Sequence, residues 1–181
     1  MYHHRSSCFA SAPLLLLIHD FLLASFFDTA ATQIGSFKPD FRIFLTPVIE
    51  FLVSKKSPLL VNMYTYFIYV NNMGAVSLEY ALLTSNKTVV SDGSNSYGNL
   101  FFLLLDTVYA ALEKSRAGSV KIVVSETGWP TSGGTAASAD NARTYVNNLI
   151  RIVKTGSPRR PELPIETYLL LDFDVSFQNN C

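Results

Sequence analysis

The sequence predicts an α/β fold built on a parallel sheet. Helix-like and strand-like stretches alternate along the chain, the strand-like stretches are continuous apolar runs, and 49% of all residues are apolar. Strands that are apolar on both sides suit a sheet covered on both faces, as parallel sheets are. At 181 residues the chain is long enough for one compact domain with its own core.

Regular patterning begins after residue 36. Within 40–54, Phe41, Phe44, Leu45, Val48, Ile49 and Leu52 recur at helical spacing and predict one inward face. Asp40 is the expected N-cap, and Pro47 is expected to kink or shorten the helix. The apolar run 58–67 reads as a buried strand. A long polar connection, 69–95, follows; connections of that length are usually functional or disordered. A second helix over 96–115 presents Leu100, Phe101, Leu104, Leu105, Val108 and Leu112 on one face. The β-branched run 120–124 is the next strand, and it ends in Ser125-Glu126-Thr127-Gly128-Trp129-Pro130. After a Gly/Ser/Thr/Ala-rich loop, Asp140 is the expected N-cap of a helix over 141–154. Its inward residues are Ala142, Tyr145, Val146, Leu149, Ile150 and Val153, with Gly156 as its stop and Pro158 barring continuation. The last strand spans 165–171.

Composition removes several function classes. The formal charge is +0 and the charged residues amount to 15%, so no basic face exists to hold nucleic acid. Cys8 and Cys181 stand at opposite ends, and His3, His4 and His19 lie near the N-terminus, so no metal site and no cofactor are expected. The glycines form no nucleotide-binding loop of the G-x-G-x-x-G or G-x-x-x-x-G-K type. Arg5 followed by the apolar run 8–18 resembles a secretory leader, although His19 and Asp20 interrupt it and no clean cleavage site follows. Residues 1–34 therefore read equally as a signal-like leader or as a divergent N-terminus. The run is too short and broken for an integral membrane span. Asn86-Lys87-Thr88 is an N-glycosylation acceptor, usable only in a secreted chain.

Glu126 is the residue most suggestive of chemistry. A carboxylate at the C-terminal tip of a buried parallel strand lies where α/β folds place active sites. Gly128 permits a sharp turn, Pro130 stiffens it, and Trp129 offers a flat face on which a sugar ring could stack. The plainer alternative is a strand-end carboxylate paired with a neighbouring Arg or Lys.

The run Val123-Val-Ser-Glu-Thr-Gly-Trp-Pro130 closely resembles the nucleophile motif of plant family 17 β-1,3-glucanases. Ser57-Pro-Leu-Leu-Val-Asn-Met-Tyr-Thr-Tyr-Phe67 resembles the sixth strand of that family. Ser77-Leu-Glu-Tyr-Ala-Leu-Leu83, Asp106-Thr-Val-Tyr-Ala-Ala-Leu-Glu113 and Ile165-Glu-Thr-Tyr168 continue the likeness in order. The resemblance covers 35–174 and leaves 175–181 as a divergent tail.

The resemblance implies a partial (β/α)8 barrel, roughly its C-terminal half, holding the sixth to eighth strands and, in 21–27, a remnant of the fifth. It implies retaining hydrolysis of internal β-1,3 bonds of glucans in a secreted, cell-wall or vacuolar setting of plant defence or wall remodelling. Glu126 would be the nucleophile, with Asn62, Tyr64 and Trp129 as substrate-binding or supporting residues. Retaining hydrolysis needs a second carboxyl group about 5–5.5 Å from the first. The family supplies it from an Asn-Glu motif, and this chain contains no Asn-Glu dipeptide. Thr65 stands where the family has Pro, and Val175 and Gln178 stand where it has cleft-lining Glu and Lys. The expectation is therefore a family member whose own activity is in question, the alternative being a non-catalytic glucan-binding protein or inactive fragment. An incomplete barrel would also expose an open sheet edge on the side of the sixth strand and self-associate.

Overall fold

The computed structural model describes residues 17–18, 35–171 and 174. Strands β1 (Leu17–Ile18), β2 (Leu59–Asn62), β5 (Ile122–Thr127) and β8 (Thr167–Leu169) form one sheet in the order β1-β2-β5-β8. Each neighbouring pair is parallel, as the continuous apolar runs predict. Leu59, Val61, Ile122, Val123 and Val124 are all buried, so these strands are covered on both faces. Contrary to the expected open edge at this strand, β2 is paired on its outer side by Leu17–Ile18; the predicted strand remnant 21–27 and both cysteines lie outside the described residues.

Helix α1 (Pro39–Lys55) precedes β2 and runs unbroken through Pro47, which does not shorten it. Lys38 is the N-cap and Pro39 fills the first turn, where a missing N–H costs nothing; Asp40 lies inside that turn, not before it. Leu45, Ile49 and Leu52 are buried as predicted, but Phe44 is 73% exposed.

The strand predicted over 58–67 ends at Asn62. The chain turns at Met63 and Tyr64 and enters α2 (Thr65–Asn71). Thr65 is buried and its hydroxyl donates to the Ala81 carbonyl at 2.9 Å, tying the start of α2 to α3 (Leu78–Ala81). The span read as a long polar loop thus contains α3 and a hairpin, β3 (Val90–Asp92) with β4 (Asn95–Tyr97). Gly93, at φ +58°, supplies the left-handed conformation that so tight a hairpin needs.

Helix α4 (Leu100–Lys114) connects to β5, and α5 (Ala139–Ile152) leads from β5 towards β8. Asn99 caps α4 by accepting from the Phe102 N–H at 2.8 Å, so the helix starts at Leu100, where its apolar pattern begins, and not at the predicted 96. Ser138 rather than Asp140 caps α5, accepting from the Asn141 N–H at 3.2 Å. On α5, Ala142, Tyr145 and Leu149 face the core, whereas Ile150 is 42% exposed. Gly156 does not stop α5; it opens a second hairpin, β6 (Gly156–Ser157) with β7 (Arg160–Pro161). At φ +78° its position admits no side chain, because an added Cβ would sit 2.4 Å from the Arg160 carbonyl oxygen.

That hairpin is held by a buried carboxylate. Asp106 of α4 accepts from the Ser157 hydroxyl, from the Arg159 N–H at 2.9 Å and from the Tyr97 hydroxyl at 3.1 Å. Arg159 and Arg160 converge on Glu113 at 3.0 and 2.7 Å, which anchors both side chains against α4.

Candidate active site

The site forms where β2 and β5 end side by side. The register carries Val61 opposite Val124 but Asn62 opposite Glu126, so Ser125 is an extra residue in β5. Such a bulge re-aims side chains at the end of a strand. In a regular strand Ser125 and Glu126 would point to opposite faces. Here both reach Asn62. The Asn62 Nδ2 donates to Glu126 Oε2 at 3.1 Å, and the Ser125 hydroxyl donates to Asn62 Oδ1 at 2.7 Å.

Tyr64 adds the third contact. Its hydroxyl donates to the same Glu126 Oε2 at 3.1 Å, from the turn that ends β2. Asn62 and Tyr64 are buried and Glu126 is half-buried, so the carboxylate stays reachable while its partners are fixed. The side chains that donate to Glu126 Oε2 are a neutral amide and a neutral phenol, not the Arg or Lys of the plainer reading. An amide and a phenol hold the negative charge in place without neutralising it, as a nucleophile requires.

Trp129 belongs to the scaffold. Its ring is 1% exposed, so no face is open for a sugar to stack on, contrary to the reading from sequence. Tyr66 meets it edge-on at 5.2 Å and Tyr145 lies at 5.8 Å, while its Nε1 donates to the Ala136 carbonyl at 2.9 Å. Beneath the site the Thr127 and Tyr145 hydroxyls share a hydrogen bond of 2.7 Å. These contacts lock the backbone just beyond Glu126 onto α5.

Sequence reasoning overlooked Ser125, because nothing in a β-branched run marks where a bulge will fall. Asp174 receives the Ser132 hydroxyl at 2.8 Å; Val175 and Gln178 lie outside the described residues. Among the described residues no cluster of three or more His, Cys, Asp or Glu could hold a metal, and no helix is long and apolar enough to cross a membrane.

A carboxylate held by neutral donors at the carboxyl end of a parallel sheet defines an α/β protein with an enzyme-like site, since that is where such folds place their active sites. The chain belongs to the glycosyl hydrolases family 17, whose model matches residues 21–180. It is 53% identical over 145 residues to a glucan endo-1,3-beta-glucosidase, basic isoform 1, of Solanum tuberosum, covering 80% of this chain and 43% of that protein. It is 54% identical over 140 residues to a glucan endo-1,3-beta-glucosidase of Vitis vinifera, covering 77% of this chain and 40% of that one. A solved beta-1,3-glucanase and allergen of Cryptomeria japonica pollen superposes with a TM-score of 0.77 at 34% identity, over 86% of this chain and 48% of that structure. A solved plant beta-glucan endohydrolase gives a TM-score of 0.71 at 45% identity, over 74% and 44% of the two chains. The chain thus spans less than half the length of these relatives.

Proposed function

We propose that this chain carries the nucleophile side of a site that hydrolyses internal β-1,3 bonds of glucans with retention. The observation that carries the reading is the convergence of Asn62 Nδ2 and Tyr64 OH on Glu126 Oε2, both at 3.1 Å. Glu126 attacks the anomeric carbon, the glycosidic C–O bond breaks, and a second carboxylic acid protonates the leaving oxygen. Water then releases the glycosyl group with net retention. Asn62 and Tyr64 line the cleft beside the nucleophile, and Trp129 supports it from below. The four-stranded parallel sheet supports reading the chain as part of a (β/α)8 barrel, with residues 35–174 as its main body.

Reducing-sugar release from a soluble β-1,3-glucan, with Glu126→Ala as control, tests the proposal. Turnover that vanishes in the control supports it, and requires that another carboxyl group stand in for the absent Asn-Glu motif. Folded protein that retains glucan in affinity electrophoresis but never cleaves it would make the chain a non-catalytic binder.

We place the protein in the secretory route to the vacuole or cell wall. A relative in Nicotiana plumbaginifolia is named a basic vacuolar isoform, and Asn86, Lys87 and Thr88 are all exposed in a stretch without regular structure. Deglycosylation of protein from a plant secretory host should lower its mass, and Asn86→Gln should remove that difference. An unmodified Asn86 in secreted protein would count against the assignment.

A further inference from the structure

We propose that Ser125 is a positioning residue for the nucleophile: its hydroxyl tethers the Asn62 amide and so holds Nδ2 at hydrogen-bond distance from Glu126. The inference deepens the reading of Glu126 given above and rests on it. An asparagine amide has a donor end and an acceptor end of nearly the same shape, and the torsion that exchanges them is broad and roughly two-fold. Asn62 is fully buried, so solvent does not choose between them. In the observed orientation, Ser125 Oγ donates to Oδ1 at 2.7 Å and Nδ2 donates to Glu126 Oε2 at 3.1 Å. The opposite orientation would set a carbonyl oxygen against a carboxylate oxygen, so Glu126 selects the donor end, while the Ser125 hydroxyl, able to donate or accept, fixes the plane and position of the amide.

While Glu126 is charged, the carboxylate itself favours the donor end. Once it becomes an ester to the sugar the charge is gone, and the charge-assisted part of that bond goes with it. The Ser125 bond does not depend on that charge, so it keeps the amide tethered beside Glu126 through the covalent stage. The bulge makes this possible, since it brings consecutive residues of β5 to one partner in β2.

The test needs no general acid. A fluorosugar β-glucoside with a dinitrophenolate leaving group can label the protein directly. A Glu126 carboxylate oxygen attacks the anomeric carbon, the bond to the phenolate oxygen breaks, and the phenolate leaves as an anion. Labelling is followed by intact mass, and the Asn62 side-chain amide protons by nitrogen-15 NMR, with Asn62→Asp used for assignment.

In the wild type one Asn62 amide proton should be shifted downfield and exchange slowly. Ser125→Ala should lose both features and be labelled about tenfold more slowly, as expected for loss of one buried hydrogen bond. Ser125→Thr, which keeps the hydroxyl, should restore both, and backbone amide spectra show whether each variant is folded. An unchanged Asn62 signature in folded Ser125→Ala, or an unchanged labelling rate, overturns the proposal. Failure of the wild type to be labelled sinks the nucleophile reading instead, and the amide signature alone then decides whether Ser125 tethers Asn62.

Discussion

Asn62 and Glu126 stand 64 residues apart in the chain, yet the amide nitrogen of one lies 3.1 Å from a carboxylate oxygen of the other. The pairing is made by two parallel strands whose register slips by one residue just before it. Because the contact joins a neutral donor to a carboxylate, exchanging the amide for an acid should damage it without changing its shape. Asn62→Asp would place two carboxyl groups at hydrogen-bond distance, where both cannot ionise freely. Labelling by the activated glucoside should then slow by at least about tenfold at neutral pH, where one proton is shared between the two acids. A rate equal to that of the wild type would show that Asn62 does not act on Glu126.

Trp129 should matter for stability and not for sugar affinity. Trp129→Ala should cost about 3–5 kcal/mol, the usual range for removing a buried aromatic ring. Trp129→Phe should cost less and leave glucan affinity of the folded protein unchanged. Since it is the sole tryptophan, its emission reports unfolding of the wild type directly; the variants are followed by circular dichroism in urea. A large loss of affinity in folded Trp129→Phe would restore the stacking role.

Asp106 gives a pH dependence of defined sign. Burial pushes its carboxyl above the ordinary value, and the hydrogen bonds from Ser157, Arg159 and Tyr97 only partly oppose this. The folded protein therefore holds this proton more tightly than the unfolded chain does. Its contribution to stability is fully present below the unfolded value, about 3.9, and is lost as pH rises through the folded one. Urea midpoints of wild type and Asp106→Asn, compared from about pH 3 to pH 7, should show the wild type losing ground relative to the variant as pH rises. A constant difference would mean that the carboxyl is not raised.

The sheet edge should drive association. Among the described residues β8 pairs with β5 alone, and Leu163, Tyr168, Leu170 and Leu171 beside it are between 37% and 60% exposed. An unpaired apolar edge is a template for pairing with another chain. Light scattering should give a mass that rises with concentration, and Tyr168→Lys with Leu171→Lys should lower it. A monodisperse monomer at every concentration would contradict the open-edge proposal.

Apolar periodicity by itself determined the alternation of helices and strands, the parallel sheet, the inward face of α4 and, apart from the exposed Ile150, that of α5, because burial demands those patterns locally. It also singled out Glu126, since a carboxylate ending a buried strand is conspicuous in one dimension. The motif around it marked the family as well. Cap positions were less legible: Lys38 and Ser138 outcompeted Asp40 and Asp140 through the path of the backbone entering each helix. The hairpin turning at Gly93 was hidden because its two strands are only 3 residues each and mostly polar, and the helix starting at Thr65 because its first residue is tied to Ala81 further along the chain. Only the tertiary structure decided that Trp129 is enclosed by Tyr66 and Tyr145, and that Ser125 and Glu126 both face Asn62. Those outcomes depend on the register between strands and on which aromatic rings meet, and neither is encoded in the neighbours of a residue along the chain.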